Sequence, residues 1–219
     1  MIDGGLAEVV GVSAGGSDLL VSAPAGRVTE QEDIMRKLVY WVHQSVDGFI
    51  EGPNGEFDWP AMGLELSAYS FELCDRADTF LYGRKVWEFM SSYWPRVEEN
   101  SQDPHDLRFA PVWRRTPKIV ISRTLKSAEY GARVIGRDLA TEMAELKAQP
   151  GKELLLTGGS GAAAALTDLG LVDEYQVVVH PVVLGGGRPV FPGKDRLALR
   201  LAETRAFDGR SVLLRYTRA

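Results

Sequence analysis

Hydrophobic and polar residues follow two different periods along this chain, and the pattern becomes regular near Met35. The run from Met35 to Ile50 predicts a strand followed by a loop. Between residues 62 and 77, apolar residues recur at helical spacing, which predicts an amphipathic helix. The residues of its apolar stripe are Leu66, Tyr69, Leu73 and Ala77. One face of this helix should therefore cover a sheet.

Beyond that helix, short apolar strands and helical segments alternate. Strands are predicted at 79–82, 118–122, 134–135 and 153–157, with a polar stretch that extends through about residue 110. Helices are predicted at 139–148 after the capping residue Asp138, and from the turn at 158–161 to Gly170. A β-rich run at 175–184 and two strands at 197–206 and 211–217 follow. This order predicts an α/β fold with a mostly parallel central sheet, helices on both faces and an antiparallel C-terminal edge.

Residues 1–34 are rich in Gly, Ser, Ala and acids and lack a period of 2 or 3.6. We therefore predict an N-terminal extension over 1–34, flexible or peripheral, and one folded domain over 35–219. The whole chain has 219 residues, of which 45% are hydrophobic, so a single sizeable core is expected.

The charge and the cysteine content of the chain exclude several classes of function. The formal net charge is -5, so no cationic field is available to hold a nucleic-acid backbone. The single cysteine, Cys74, excludes an internal disulfide and a Cys-rich zinc site, and no metal-binding cluster emerges. No apolar run approaches the roughly 20 residues of a membrane span, and no signal peptide is evident. We expect a cytoplasmic protein without nucleic-acid or membrane partners.

Three turns could each bind an anion. Gly158–Gly161 follows an apolar strand and opens a helix, which directs free backbone N–H groups outward. Gly159, Gly161 and Ala164 also fit the Rossmann glycine pattern. That pattern needs an acid about 20 residues later at the end of the next strand, whereas Asp173 and Glu174 precede that strand instead. Gly83–Lys85 places two cations at a helix start. Ser122–Thr124 places Arg123 at a strand end, where its guanidinium matches a phosphate such as the 2′-phosphate of NADPH.

Acid–base candidates lie at the edges of a glycine-rich loop that begins at Gly48 and ends at the aromatic pair Phe57 and Trp59, in the helix after it, and in two strands. They are Asp47, Asp58, Glu65, His43 and His180. A histidine in a strand is more often structural than catalytic, and an aspartate before a glycine is a common turn residue. The residue types alone therefore leave these roles open.

Taken together, the segments at 45–50, 83–87, 122–124 and 171–185 resemble the dihydrofolate reductase-like superfamily, and more narrowly the riboflavin biosynthesis reductase domain of bifunctional deaminase-reductases. The resemblance implies NADPH as cofactor and implicates these residues in holding it: Gly83, Arg84, Lys85, Ser122, Arg123, Thr124, Thr157, Gly158, Gly159, Ser160 and Gly161. It implies that the loop at 47–59 closes over nicotinamide and substrate, with Asp47 as the catalytic residue. Asp58, Trp59 and Glu65 would bind substrate.

By the same resemblance, the chain should be an NADPH-dependent reductase that acts on a C=N or related bond of a small pteridine-like or ribosylaminopyrimidine-like substrate, and should form a homodimer. Thr157 stands where the riboflavin-pathway reductases usually carry Glu, and the deaminase signature is absent. A non-catalytic NADP(H)- or flavin-binding dimeric protein is the alternative.

Overall fold

A computed structural model describes residues 35–193 and 195–219, so the predicted N-terminal extension lies outside the described residues. The strands are β1 (Leu38–Ser45), β2 (Phe49–Glu51), β3 (Ala77–Gly83), β4 (Lys118–Ile121), β5 (Arg133–Ile135), β6 (Glu153–Thr157), β7 (Glu174–His180), β8 (Arg188–Pro189), β9 (Leu199–Phe207) and β10 (Ser211–Arg218). The helices are α1 (Leu64–Arg76), α2 (Arg84–Tyr93), α3 (Val97–Asn100), α4 (Pro104–Arg115), α5 (Leu139–Lys147) and α6 (Ser160–Asp168), with a 3₁₀ turn at Trp94–Arg96. Within these described ranges, no helix is long and apolar enough to cross a membrane.

The strands form an eight-stranded sheet in the order β5-β4-β3-β6-β1-β7-β10-β9, while β2 pairs with β8. Neighbouring strands are parallel from β5 through to β7. β10 is antiparallel to both β7 and β9. The predicted mostly parallel sheet with an antiparallel C-terminal edge is confirmed.

The core has two layers, one on each face of the sheet. Helices α1, α2 and α4 contribute Leu66, Trp87 and Trp113 to one layer. Helices α5 and α6 contribute Met143 and Leu166 to the other. Side chains of β1 alternate between the layers, and both sets are buried, as expected for a strand covered on both faces. The predicted placement of helices on both faces is confirmed.

The polar stretch is largely helical, although the sequence pattern predicted no helix there. Asp103 caps α4 by accepting a hydrogen bond from the His105 backbone N–H at 2.7 Å, and Pro104 occupies its first turn. Pro111 lies inside the same helix, yet Trp113 beyond it is buried. Charged residues and two prolines hide the helical period. The helix forms because tertiary packing overrides that local signal.

The predicted β-rich run at 175–184 is longer than the strand that forms. β7 ends at His180, and the chain turns there as Val182 donates its backbone N–H to the His180 carbonyl at 2.8 Å. Val46 in turn donates to the Val182 carbonyl at 2.8 Å. Pro181 cannot donate to a ladder, so the strand stops before the glycines at 185–187.

Helix α1 is capped by a residue from the distant β9–β10 turn. The Asp208 carboxylate accepts hydrogen bonds from the backbone N–H groups of Glu65 at 2.9 Å and Leu66 at 3.2 Å. The Glu65 carboxylate accepts in return from the Asp208 backbone N–H. This reciprocal pair satisfies donors at the start of α1 that no adjacent side chain caps.

We expect Asp208→Ala to lower the free energy of unfolding by about 1–2 kcal/mol, because the substitution removes the cap of α1. Asp208 also has a φ of +54°, which Asn adopts more readily than Ala. Asp208→Asn keeps an acceptor oxygen and should lose much less. Urea denaturation of both variants measures the difference, and no measurable loss in Asp208→Ala would show that the cap contributes little.

Candidate active site

Three strands of the parallel sheet end at the same edge, where their following turns form one cleft. This first cleft has a volume of about 460 Å³. Its lining includes residues from all three predicted anion-binding turns: Gly83, Arg84, Lys85, Ser122, Arg123, Gly159, Ser160 and Gly161. Because parallel strands place their carboxyl ends side by side, turns distant in sequence meet here.

The part of the first cleft around Gly159, here called its floor, is closely packed. A Cβ atom on Gly159, which has a φ of +72°, would lie 3.1 Å from Val86 Cγ2 and 3.7 Å from the Gly83 backbone N. Helix α6 begins at the next residue, so its first backbone N–H groups lack helical partners. This glycine-lined helix start, together with Arg84, Lys85 and Arg123, fits the phosphates of a dinucleotide.

Side-chain contacts shape one of these turns and pair a cation of another. The Ser122 hydroxyl accepts hydrogen bonds from the backbone N–H groups of Thr124 at 3.3 Å and Leu125 at 3.0 Å. Ser122 therefore shapes the turn that presents Arg123, whereas Thr124 is outside the residues that line the cleft. Arg84 pairs with Glu88 at 2.8 Å, one turn along α2. The sequence did not identify other lining residues, among them Gly136, Leu139 and Arg188.

A second cleft, of about 580 Å³, adjoins the first. The two clefts share the residues Ile50, Glu51, Lys85, Val86 and Gly159. Thr157 and Gly158, predicted among the cofactor residues, line this second cleft instead. Aromatic side chains from six segments provide much of its wall: Trp41, Phe57, Phe80, Tyr82, Phe89, Tyr93, Trp94 and Phe109.

A carboxylate and a histidine from the start of α4 also line the second cleft. Asp106 Oδ2 accepts hydrogen bonds from the Tyr93 hydroxyl at 2.5 Å and the Ser101 hydroxyl at 2.7 Å. His105 Nδ1 lies 2.8 Å from Ser67 Oγ, and burial lowers the pKa of this imidazole. Sequence reasoning missed both residues, because it predicted no helix in this segment.

His43 and His180 form a direct pair beside the second cleft. His43 Nδ1 lies 2.7 Å from His180 Nε2, so one ring donates to the other. Burial, followed by the neighbouring imidazoles of His180 and His105, lowers the pKa of His43 to about 3. Burial, followed by the charge of Arg210, lowers the pKa of His180 to about 4. The Trp59 ring packs at 5.5 Å from the His180 ring. Both histidines are therefore neutral at pH 7, and only His43 lines the cleft.

This pair should make stability depend on pH. The folded-state pKa values of about 3 and 4 lie below the ordinary value of 6.5. Between these folded-state values and pH 6.5, the unfolded chain therefore binds more protons than the folded chain. Stability is then fully present above pH 6.5 and falls as the pH drops toward 4. We expect His180→Gln to make this fall shallower in urea denaturation from about pH 4.5 to 6.5. An unchanged slope would contradict the lowered pKa of His180.

The remaining predicted site residues lie outside the lining of both clefts. The Asp47 carboxylate accepts from the backbone N–H groups of Leu184 at 3.1 Å and Gly185 at 2.8 Å. A hydrogen bond from Ser45, followed by these two, holds the pKa of Asp47 below its usual range. An ionised carboxylate of this kind is a poor proton donor, and its contacts support a structural role. The catalytic role of Asp47 stays a prediction.

The three predicted substrate residues are also dispersed. Asp58 is exposed on the loop before α1, and Glu65 is engaged with Asp208. Trp59 is half-buried and packs 5.7 Å from Phe57, which does line the second cleft. Neither carboxylate is brought to the clefts. The loop instead contributes aromatic and apolar residues there.

Comparison with known proteins identifies a matching family, relatives of similar sequence and solved structures of similar fold. The family described as the RibD C-terminal domain matches residues 36–213. The uncharacterized protein YyaP of Bacillus subtilis (strain 168) is 35% identical over 185 residues, which cover 83% of this chain and 94% of YyaP.

Two solved structures share the fold. A Shewanella sp. PV-4 protein assigned provisionally to riboflavin biosynthesis aligns with a TM-score of 0.65 and 20% identity, covering 84% of this chain and 99% of that one. Dihydrofolate reductase from Enterococcus faecalis, complexed with NADP(H) and RAB-propyl, aligns with a TM-score of 0.58 and 15% identity, covering 83% and 96%.

Proposed function

The chain belongs to the RibD C-terminal domain family and has the dihydrofolate reductase-like fold, and from this premise we propose that it is a cytoplasmic NADPH-dependent reductase. Its acceptor is a small pteridine-like or ribosylaminopyrimidine-like molecule that is reduced at a C=N or related bond. One observation carries this proposal: three turns suited to phosphates meet in a cleft that adjoins an aromatic one.

The first cleft would hold the phosphate-bearing part of the cofactor. NADPH, when bound, supplies the hydride for the reduction. Arg84, Lys85 and Arg123 bring positive charge to the cleft, and the start of α6 adds backbone N–H donors. The glycines at 158 and 159 keep side chains away from this region, so that a pyrophosphate can approach the backbone closely.

The second cleft would orient the acceptor and exclude water. Phe57, from the loop after β2, lies with its ring centroid 6.2 Å from that of Phe89 on α2. This contact extends the aromatic wall from the helix to the loop. A dry, aromatic site strengthens the electrostatic interactions made inside it and protects a hydride donor from side reactions.

A fluorescence titration with NADPH and NADH in parallel tests the proposal. Trp41 lines the second cleft and provides a nearby fluorophore. We expect saturable binding of NADPH and weaker binding of NADH, because only NADPH carries the 2′-phosphate that Arg123 would meet. Binding of neither nucleotide would overturn the proposal.

The presence of Thr157 in place of the expected Glu favours a second candidate function. The Thr157 side chain lines the second cleft and cannot ionise as Glu would. A non-catalytic NADP(H)- or flavin-binding protein would retain the clefts without turnover. Assays of NADPH oxidation with pteridine and aminopyrimidine acceptors separate the two candidates, and visible absorbance of the purified protein reports bound flavin.

We also propose that the protein forms a homodimer through its C-terminal β region. β9 is an edge strand of the sheet, and Leu201 and Val212 are 54% and 39% exposed on β9 and β10. Unpaired edges and exposed apolar side chains favour association. Light scattering should give twice the chain mass, and Leu201→Lys should shift it toward the monomer. A monomeric wild-type protein would contradict this assembly.

A further inference from the structure

We propose that the second cleft selects a flat, unphosphorylated acceptor that presents an N–H or cationic edge to Asp106. This inference rests on the proposed function, since it names the substrate class of the same site. It depends on three features: the shape given by the aromatic walls, the state of the Asp106 carboxylate, and the distribution of charge around the cleft.

The aromatic walls favour a planar ligand. The Phe89 and Tyr93 rings are stacked, with centroids 6.2 Å apart and planes 5° from parallel. The rings of Trp94 and Phe109 meet edge to face at 4.6 Å. Flat heterocycles gain most from such surfaces, because they can stack on one ring and contact the edge of another.

Asp106 is held through one of its two carboxylate oxygens. The hydroxyls of Tyr93 and Ser101 both donate to Oδ2. These two donors are neutral, so they orient the carboxylate without neutralising it. An ionised carboxylate can accept about four hydrogen bonds, which leaves Oδ1 with capacity for a donor.

The neighbouring His105 does not neutralise Asp106 either. Its Nδ1 is 2.8 Å from the Ser67 hydroxyl, and its ring stacks at 5.8 Å on Phe109. Burial lowers the pKa of His105 even though Asp103 and Asp106 oppose the shift. The cleft therefore presents a negative charge beside a neutral imidazole, which suits an amidine-like or aminopyrimidine-like edge.

The positive charge that a phosphate group needs is placed elsewhere. Among the described residues that line the second cleft, Lys85 is the only lysine or arginine, and it also lines the first cleft. A cofactor phosphate would compete for it. Glu51, at the shared rim, adds negative charge and pairs with Arg188. A phosphate monoester with about −1.5 to −2 charge would thus meet Asp106 without a cation of its own.

Three probes of similar shape and different charge test this selectivity. Benzamidine is an aromatic cation, benzamide is its neutral analogue and phenyl phosphate is an aromatic anion. Calorimetric titration of the full chain, with and without saturating NADPH, compares them. We expect benzamidine to bind at least about tenfold more tightly than phenyl phosphate, as for a hydrogen bond to a charged group.

Two variants test whether the charge of Asp106 causes the preference for benzamidine. Asp106→Asn keeps an acceptor for Tyr93 and Ser101 but removes the charge, and it should reduce benzamidine binding about tenfold. Asp103→Asn is the matched control, because it removes the same charge from the start of α4, retains a good capping residue and is outside the cleft lining. It should leave benzamidine binding unchanged.

The outcomes separate this inference from the proposed function. Phenyl phosphate binding as tightly as benzamidine, or benzamidine binding that Asp106→Asn leaves unchanged, would overturn the selectivity. Failure of NADPH to bind would overturn the reductase proposal instead, while the titrations without nucleotide would still report the preference of the cleft.

Discussion

Arg123→Ala is expected to weaken NADPH binding by about ten- to a hundredfold while leaving NADH binding nearly unchanged. Arg123 lines the first cleft on a turn fixed by the Ser122 hydroxyl. A guanidinium fork binds a phosphate monoester through parallel hydrogen bonds, and NADH lacks that group. Fluorescence titration of both nucleotides measures the change in each dissociation constant.

Two further variants test whether the effect belongs to the guanidinium group of Arg123. Arg123→Lys keeps the charge without the planar fork and should fall between wild type and alanine. Arg133→Ala removes an exposed arginine at the start of β5, outside the cleft lining, and should bind both nucleotides normally. Equal losses of NADPH and NADH binding in Arg123→Ala would assign Arg123 to a part of the cofactor that both share.

Gly159→Ala is expected to reduce NADPH affinity more than tenfold and to lower the free energy of unfolding by about 1–2 kcal/mol. The φ of +72° disfavours any residue with a Cβ, and the added methyl would lie 3.1 Å from Val86 Cγ2. The same methyl would fill space between the turns that line both clefts. Nucleotide titration and urea denaturation measure the two effects separately.

Gly131→Ala separates backbone strain from the loss of space. Gly131 has a φ of +69°, nearly that of Gly159, but a Cβ there meets nothing within 4 Å and the residue lies outside both clefts. It should show a similar loss of stability with unchanged NADPH affinity. If Gly131→Ala weakened binding as much as Gly159→Ala, the crowding at the cleft floor would not explain the effect.

The sequence predicted the first cleft better than the second, for a physical reason. Turns such as Gly83–Lys85 and Gly158–Gly161 follow short apolar strands, and parallel strands bring such turns to one edge. That inference needs only local patterns and one rule of topology. The fold class was accessible in the same way, because strand and helix signals alternate along the chain.

The second cleft depends on contacts that local patterns do not reveal. Its wall includes Tyr93, Trp94 and Phe109 from a region where prolines and charges obscure the helical period. Asp106 was therefore missed. Glu65 was selected by its spacing along the chain, yet its partner Asp208 is 143 residues away. Only tertiary structure could show that this carboxylate connects a helix to a hairpin.

If the two clefts hold nucleotide and acceptor as proposed, the residues that they share can couple the two binding events. Lys85, Val86 and Gly159 line both, so a ligand in one cleft changes the surroundings offered to a ligand in the other. Such coupling is reciprocal: if the nucleotide raises the affinity for the acceptor, then the acceptor raises the affinity for the nucleotide by the same factor. With such coupling, the occupancy of either cleft depends on the concentrations of both ligands, and the order in which they bind cannot alter the affinity of the complete ternary complex.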